Sequence, residues 1–180
     1  MKRSQVEIMG IALILVLALL VRLWGVGYDL PFIYHPDEPY YITISQRIFK
    51  TGDLNPHFFN YPSLFFYINA FSYVPYYQIG RIAMDFNTPG NILPPTSLTM
   101  GVTKAQTPSA VLLGRVITVL FGVGVVGLTY LGGKKLTRRA SIGALASLMV
   151  ALSPTNVLHS RFMTPDTFVT FFALASFLAS

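Results

Sequence analysis

The chain has 180 residues, 53% of them hydrophobic and 11% charged. Soluble domains carry about 25% charged residues, so this composition excludes an ordinary soluble protein, and the mean hydropathy of +0.56 agrees. The formal charge of +6 does not indicate nucleic acid: Lys and Arg cluster at the ends of apolar runs and form no basic stripe, so no nucleic-acid partner is expected.

In chain order, Lys2-Arg3 precede an apolar stretch over 7–26, long enough to span a bilayer. No small-residue cleavage pattern follows it, and Arg22-Leu23-Trp24 has the chemistry of an interfacial anchor. The stretch is therefore read as a retained span and not as a signal peptide. Pro39 opens a helix over 39–50, too short and too polar to span and suited to the interface, and Gly52 ends it. The run 62–80 holds Tyr67, Tyr73, Tyr76 and Tyr77 with Asn69, Pro62 and Pro75, which is interfacial chemistry. Residues 85–108, rich in Pro and Gly, read as an irregular loop. Further spans are expected over 109–133, 141–157 and 165–180, the last cut off inside an apolar run. The chain is thus expected to be the N-terminal part of a longer polytopic protein. Gly122, Gly124 and Gly127 suit close helix packing within a span.

Charge parity sets the topology. Lys2-Arg3 and the cluster from Lys134 to Arg139 belong in the cytoplasm. Both conditions hold if 62–80 stays in the interface, which leaves an external loop over about 27–108. The expected location is the plasma (inner) membrane, multi-pass, with the N-terminus cytoplasmic and the active face extracytoplasmic.

The candidate chemistry centres on His35-Pro36-Asp37-Glu38-Pro39. Two adjacent carboxylates at a membrane boundary are costly. Asp37, at a helix N-terminus, can accept a proton from an incoming hydroxyl, or it can simply cap the helix. Glu38 can tune its neighbour, hold a metal or be solvated. Arg115 lies inside an apolar span and, with Arg161, is a candidate for a lipid phosphate, which guanidinium groups bind in a two-pronged fork. Arg22 and Arg81 are read as snorkelling to the interface. Asp166 either caps the last helix or faces a ligand. His35, His57 and His159 form no helical i, i+4 pair, so no metal site is assigned.

The order of these features resembles the GT-C superfamily of membrane glycosyltransferases, nearest the branch of protein O-mannosyltransferases and aminoarabinose transferases. The resemblance rests on Pro36-Asp37-Glu38 with Tyr41 after it, Thr51-Gly52-Asp53, Tyr61-Pro62-Ser63-Leu64, Arg115, the basic turn 134–139, Ser153-Pro154, Ser160-Arg161 and Asp166. It implies an all-α polytopic fold with interfacial helices in a large first external loop. It also implies an inverting glycosyltransferase using a polyprenyl-phosphate sugar donor and a protein or glycolipid acceptor. Asp37 would be the base, with Glu38 beside it in the catalytic pair. Arg115, Arg161, Asp166, Tyr41 and Tyr61 would line the substrate site. Asn60 and Tyr40 stand where aminoarabinose transferases carry an acidic metal ligand and an Arg, so a generic or protein-mannosyltransferase-like branch fits better. No cofactor is required, although the resemblance leaves room for a divalent metal ion. A transporter or flippase, or a non-catalytic membrane subunit, is the competing expectation. A transporter calls for ionisable groups near the bilayer midplane.

Overall fold

The structure is a computed structural model that describes residues 3–98 and 101–180; the side chains of the Lys2-Arg3 pair lie outside what it describes. The fold is that of an all-α membrane protein. In order it comprises α1 (Arg3–Leu23), β1 (Phe32–Ile33), α2 (Glu38–Thr51), α3 (Leu64–Ile82), β2 (Thr96–Ser97), β3 (Thr103–Lys104), α4 (Pro108–Thr137), α5 (Ala140–Leu152), α6 (Pro154–His159) and α7 (Asp166–Ala179). Among the described residues, two helices are long and apolar enough to cross a membrane, Gln5–Leu23 and Pro108–Thr137. The 30 residues of α4 rise about 45 Å, more than the roughly 30 Å of a hydrocarbon core. α3 has the length, 19 residues, but is not among the helices that are also apolar enough.

The chain divides into two compact units. One comprises Met1–Val26, Thr118–Arg161 and Asp166–Ser180; the other comprises Gly27–Ile117 and Phe162–Pro165.

The first unit packs α1 against α5, with Ala18, Val126 and Ala151 fully or almost fully buried among Ile14, Leu15, Val123 and Val150. Phe121 stacks on Phe168 with ring centroids 4.1 Å apart. The stretch 141–157 is not one helix here. α5 stops at Leu152 after 13 residues, and α6 begins at Pro154. Ser153, at φ −60° and ψ 119°, turns the chain between them, because the residue before a proline avoids helical angles. α5 alone rises only about 20 Å.

Close approach of α4 and α5 depends on missing side chains. A Cβ on Gly143 would lie 2.6 Å from the backbone oxygen of Tyr130, whereas one on Gly127 would meet only Leu15 at 3.8 Å. Gly143→Ala should therefore force backbone apart, costing about 1–3 kcal/mol and lowering the unfolding midpoint by about 3–10 °C. Gly127→Ala should leave the midpoint nearly unchanged. Thermal unfolding of both variants in detergent checks the contrast.

The second unit is built on α2 and α3. The buried positions of α2 are Glu38, Tyr41, Ile42, Ile44, Ser45, Gln46 and Ile48; of these Glu38, Tyr41, Ser45 and Ile48 recur every three to four residues along one face. That face meets Phe65, Phe66, Asn69 and Tyr73, all buried on α3. Gly52 ends α2 at φ 72°, donating its N–H to Ile48 O; only glycine adopts that angle readily. Tyr73, Tyr77, Ile92 and Ala110 form a further core. The stretch expected as an irregular loop contributes two short strands: β2 and β1 pair antiparallel on either side of β3, in the order β1-β3-β2.

Candidate active site

Asp37 and Glu38 adjoin at the start of α2 and point different ways, as consecutive helical residues must at about 100° per residue. Glu38 is fully buried. Its carboxylate takes Arg115 in a fork: Nε donates to Oε1 at 2.8 Å and Nη2 to Oε2 at 2.7 Å. Oε1 also accepts the backbone N–H of Met163 at 2.8 Å. The opposite edge of Arg115 donates to Asp29, Nη1 to Oδ1 at 2.5 Å and Nη2 to Oδ2 at 3.1 Å. All three side chains are 0% exposed. Phe162 lies beneath the guanidinium, 5.4 Å from ring centroid to Cζ, a cation–π contact. One cation and two anions are thus held out of water by mutual pairing, an arrangement that tolerates no missing partner.

This geometry pairs two of the residues expected at the substrate site with each other. Glu38, read above as half of a catalytic pair, has both oxygens committed to Arg115 and Met163. Arg115, read above as a phosphate ligand, gives both its edges to carboxylates. Together with Asp29 they form a clamp that fixes the first turn of α2, the start of α4 and the segment 162–165 within one unit. Asp29 carried no signal in the sequence beyond being an acid in an apolar stretch, and its partner lies 86 residues away.

Asp37 is left exposed. It stands at the N-cap position with φ −91° and ψ −20°, and its side chain makes no capping hydrogen bond. Its backbone N–H donates to His35 Nδ1 at 3.3 Å, and its carbonyl accepts from Tyr40 and Tyr41. The carboxylate has no ion pair or hydrogen bond among the described residues. Helix capping therefore does not account for it.

Aromatic surface surrounds this helix end. Tyr41 is 4% exposed, with its ring edge-on to Tyr61 and Phe65 at 5.7 and 5.8 Å; burial in the α2–α3 packing gives it a supporting position. Tyr61 remains 37% exposed and Tyr40 50%, with Tyr40 edge-on to Phe58 at 5.0 Å. Burial pushes the Tyr73 hydroxyl up from its ordinary value, so it stays protonated. In the following turn, the backbone N–H of Asn55 and the His57 ring hold the Asp53 carboxyl below the usual carboxylate range. Arg81 is exposed beside Tyr77.

Arg161 and Asp166 belong to the other unit. Arg161 is half-buried and donates from Nη2 to Val21 O at 2.7 Å, while its buried Nε has no partner. Arg22 does not snorkel: it is fully buried. Its Nη1 donates to Ala18 O at 3.2 Å and Ala151 O at 3.1 Å, its Nη2 to Val150 O at 3.4 Å, and its Nε to Ser160 Oγ at 3.3 Å. The carbonyls that end α5 draw the guanidinium inward, and they outweigh the pull of the interface. Arg22 lines a cavity of about 270 Å³ together with Asn156, His159, Ser160, Asp166 and Thr167. Asp166 opens α7 as a first-turn acid and is exposed.

Among the described residues, no three His, Asp or Glu side chains come together as metal ligands, and Asp29 and Glu38 are committed to Arg115. Those two carboxylates are therefore not open to a divalent ion.

Residues 95–179 match the protein family described as dolichyl-phosphate-mannose-protein mannosyltransferase. That stretch contains Arg115, Arg161 and Asp166 and does not reach Asp37. The match supports a membrane glycosyltransferase. Comparison with curated proteins and with solved structures gives no match.

Proposed function

We propose that the chain belongs to a multi-pass membrane glycosyltransferase. It moves a sugar, mannose by the description of the matched family, from a polyprenyl phosphate to an acceptor hydroxyl on the extracytoplasmic face. The observation that carries this reading is Asp37: an exposed carboxylate without a partner, on a helix whose next residue is locked in a buried ion cluster. A general base must be reachable and must be held in place. Asp37 takes the hydroxyl proton as the acceptor oxygen bonds to C1 of the sugar. The C1–O bond to phosphate breaks on the opposite face of C1, and polyprenyl phosphate leaves with the electron pair. Glu38, Arg115 and Asp29 position the base and do not touch substrate. Exposed Tyr40 and Tyr61 offer ring faces to sugar or prenyl chain. Arg161 and Asp166 are assigned to the donor's phosphate and sugar; guanidinium groups match phosphate oxygens.

The ionisable residues of the two long helices favour an enzyme over a transporter. Arg22 is next to last in Gln5–Leu23, and Arg115 lies near the start of Pro108–Thr137, so neither sits mid-span, where transporters bind.

The test supplies the full-length polypeptide in vesicles with labelled polyprenyl-phosphate mannose or nucleotide-linked mannose. Transfer to acceptor peptide from the lipid donor alone is expected. Movement of the lipid across the bilayer without transfer would establish the transporter instead. Orientation has its own check: single cysteines at 37 and 136 should label from opposite sides of the membrane, and labelling from one side would overturn the assigned topology.

A further inference from the structure

We infer that the first unit carries a second lipid site, for an anionic phospholipid, at the membrane face that bears the basic turn. A groove of about 560 Å³ opens there between α1, the end of α4 and the start of α5. Its wall is apolar where Gly10 and Ile11 of α1 face Ala144 of α5, and its rim is Arg138 and Arg139. Both guanidiniums lack a hydrogen bond or ion pair among the described residues. The only carboxylate on the wall, Glu7, is already neutralised by Lys134, with Nζ 3.0 Å from Oε2. No side chain caps α5, so the N–H groups of its first turn add to the positive rim. A Cβ on Gly10 would meet nothing within 4 Å, which leaves room along α1 for a chain.

This combination of apolar trough and unneutralised cationic rim, where the two long helices end, matches an acyl chain below and a phosphate diester above. Basic pockets between spans take anionic headgroups for the same electrostatic reason. The polar lining is confined to Glu7, Tyr130, Ser141 and the two arginines, while Val6, Gly10, Ile11, Ala140 and Ala144 give the trough the apolar surface that an acyl chain needs. The site is independent of Asp37 and of the donor assignment.

The test uses the chain in detergent, exchanged with phosphatidylglycerol or phosphatidylcholine, with retained lipid counted by native mass spectrometry. The wild type should retain phosphatidylglycerol at about tenfold lower concentration than phosphatidylcholine. Arg138→Gln with Arg139→Gln should abolish the preference, and Arg138→Lys with Arg139→Lys should keep most of it. Gly10→Leu leaves every charge in place, fills the trough and should abolish retention of both lipids. Equal retention of the two lipids by the wild type would overturn the site. So would unchanged retention in Gly10→Leu, or displacement of phosphatidylglycerol by polyprenyl phosphate at equal concentration.

Discussion

Arg115→Met should destabilise the protein by about 3–5 kcal/mol, because it leaves two carboxylates buried without a counter-charge. Glu38 and Asp29 are both 0% exposed; neither can turn to water without opening the packing of α2 on α3. Arg115→Lys should fall between wild type and Arg115→Met, since an ammonium keeps the charge and loses the two forks. The neutral combination Asp29→Asn, Glu38→Gln and Arg115→Met should recover much of the loss, because removing a whole buried ion cluster costs far less than breaking one. Unfolding in detergent, followed by circular dichroism, ranks the four proteins. If Arg115→Met unfolds like the wild type, the clamp is not holding α2.

The second large effect is chemical. Asp37→Asn should reduce sugar transfer by about 10²- to 10⁴-fold, the contribution of a positioned base. Its effect on stability should stay within about 0.5 kcal/mol, the range for surface changes that break no specific interaction. The carboxylate is exposed and caps nothing, so the amide neither removes a bond nor buries a new group. Glu38→Gln should lower stability as well as transfer, because its oxygens hold Arg115 and Met163. Two neighbouring acids are thus distinguishable by which measurement each one moves.

The parts legible in the sequence were those set by local chemistry. Pro39 and Gly52 bracketed α2, since one fixes φ and the other accepts a positive φ. The break at Ser153-Pro154 was legible by the same logic, yet the apolar run 141–157 masked it; hydropathy averages over a proline that the backbone cannot ignore. The strands between 96 and 104 are two residues each, too short to leave an alternating pattern. The acids at 37 and 38 stand out as a pair in the sequence, but which of the two is buried depends on Asp29 and Arg115, which no spacing rule connects. Arg22 was misread for a related reason: snorkelling is the usual fate of an arginine at a span end, and only folding shows that carbonyls of α5 compete with water for it.

The most direct measurement is single-turnover transfer from labelled polyprenyl-phosphate mannose by the full-length polypeptide, wild type against Asp37→Asn, in preparations with matching unfolding midpoints. The account predicts that the variant binds donor and retains its fold while transfer falls by at least about a hundredfold. Transfer at the wild-type rate from an equally folded Asp37→Asn protein would contradict it.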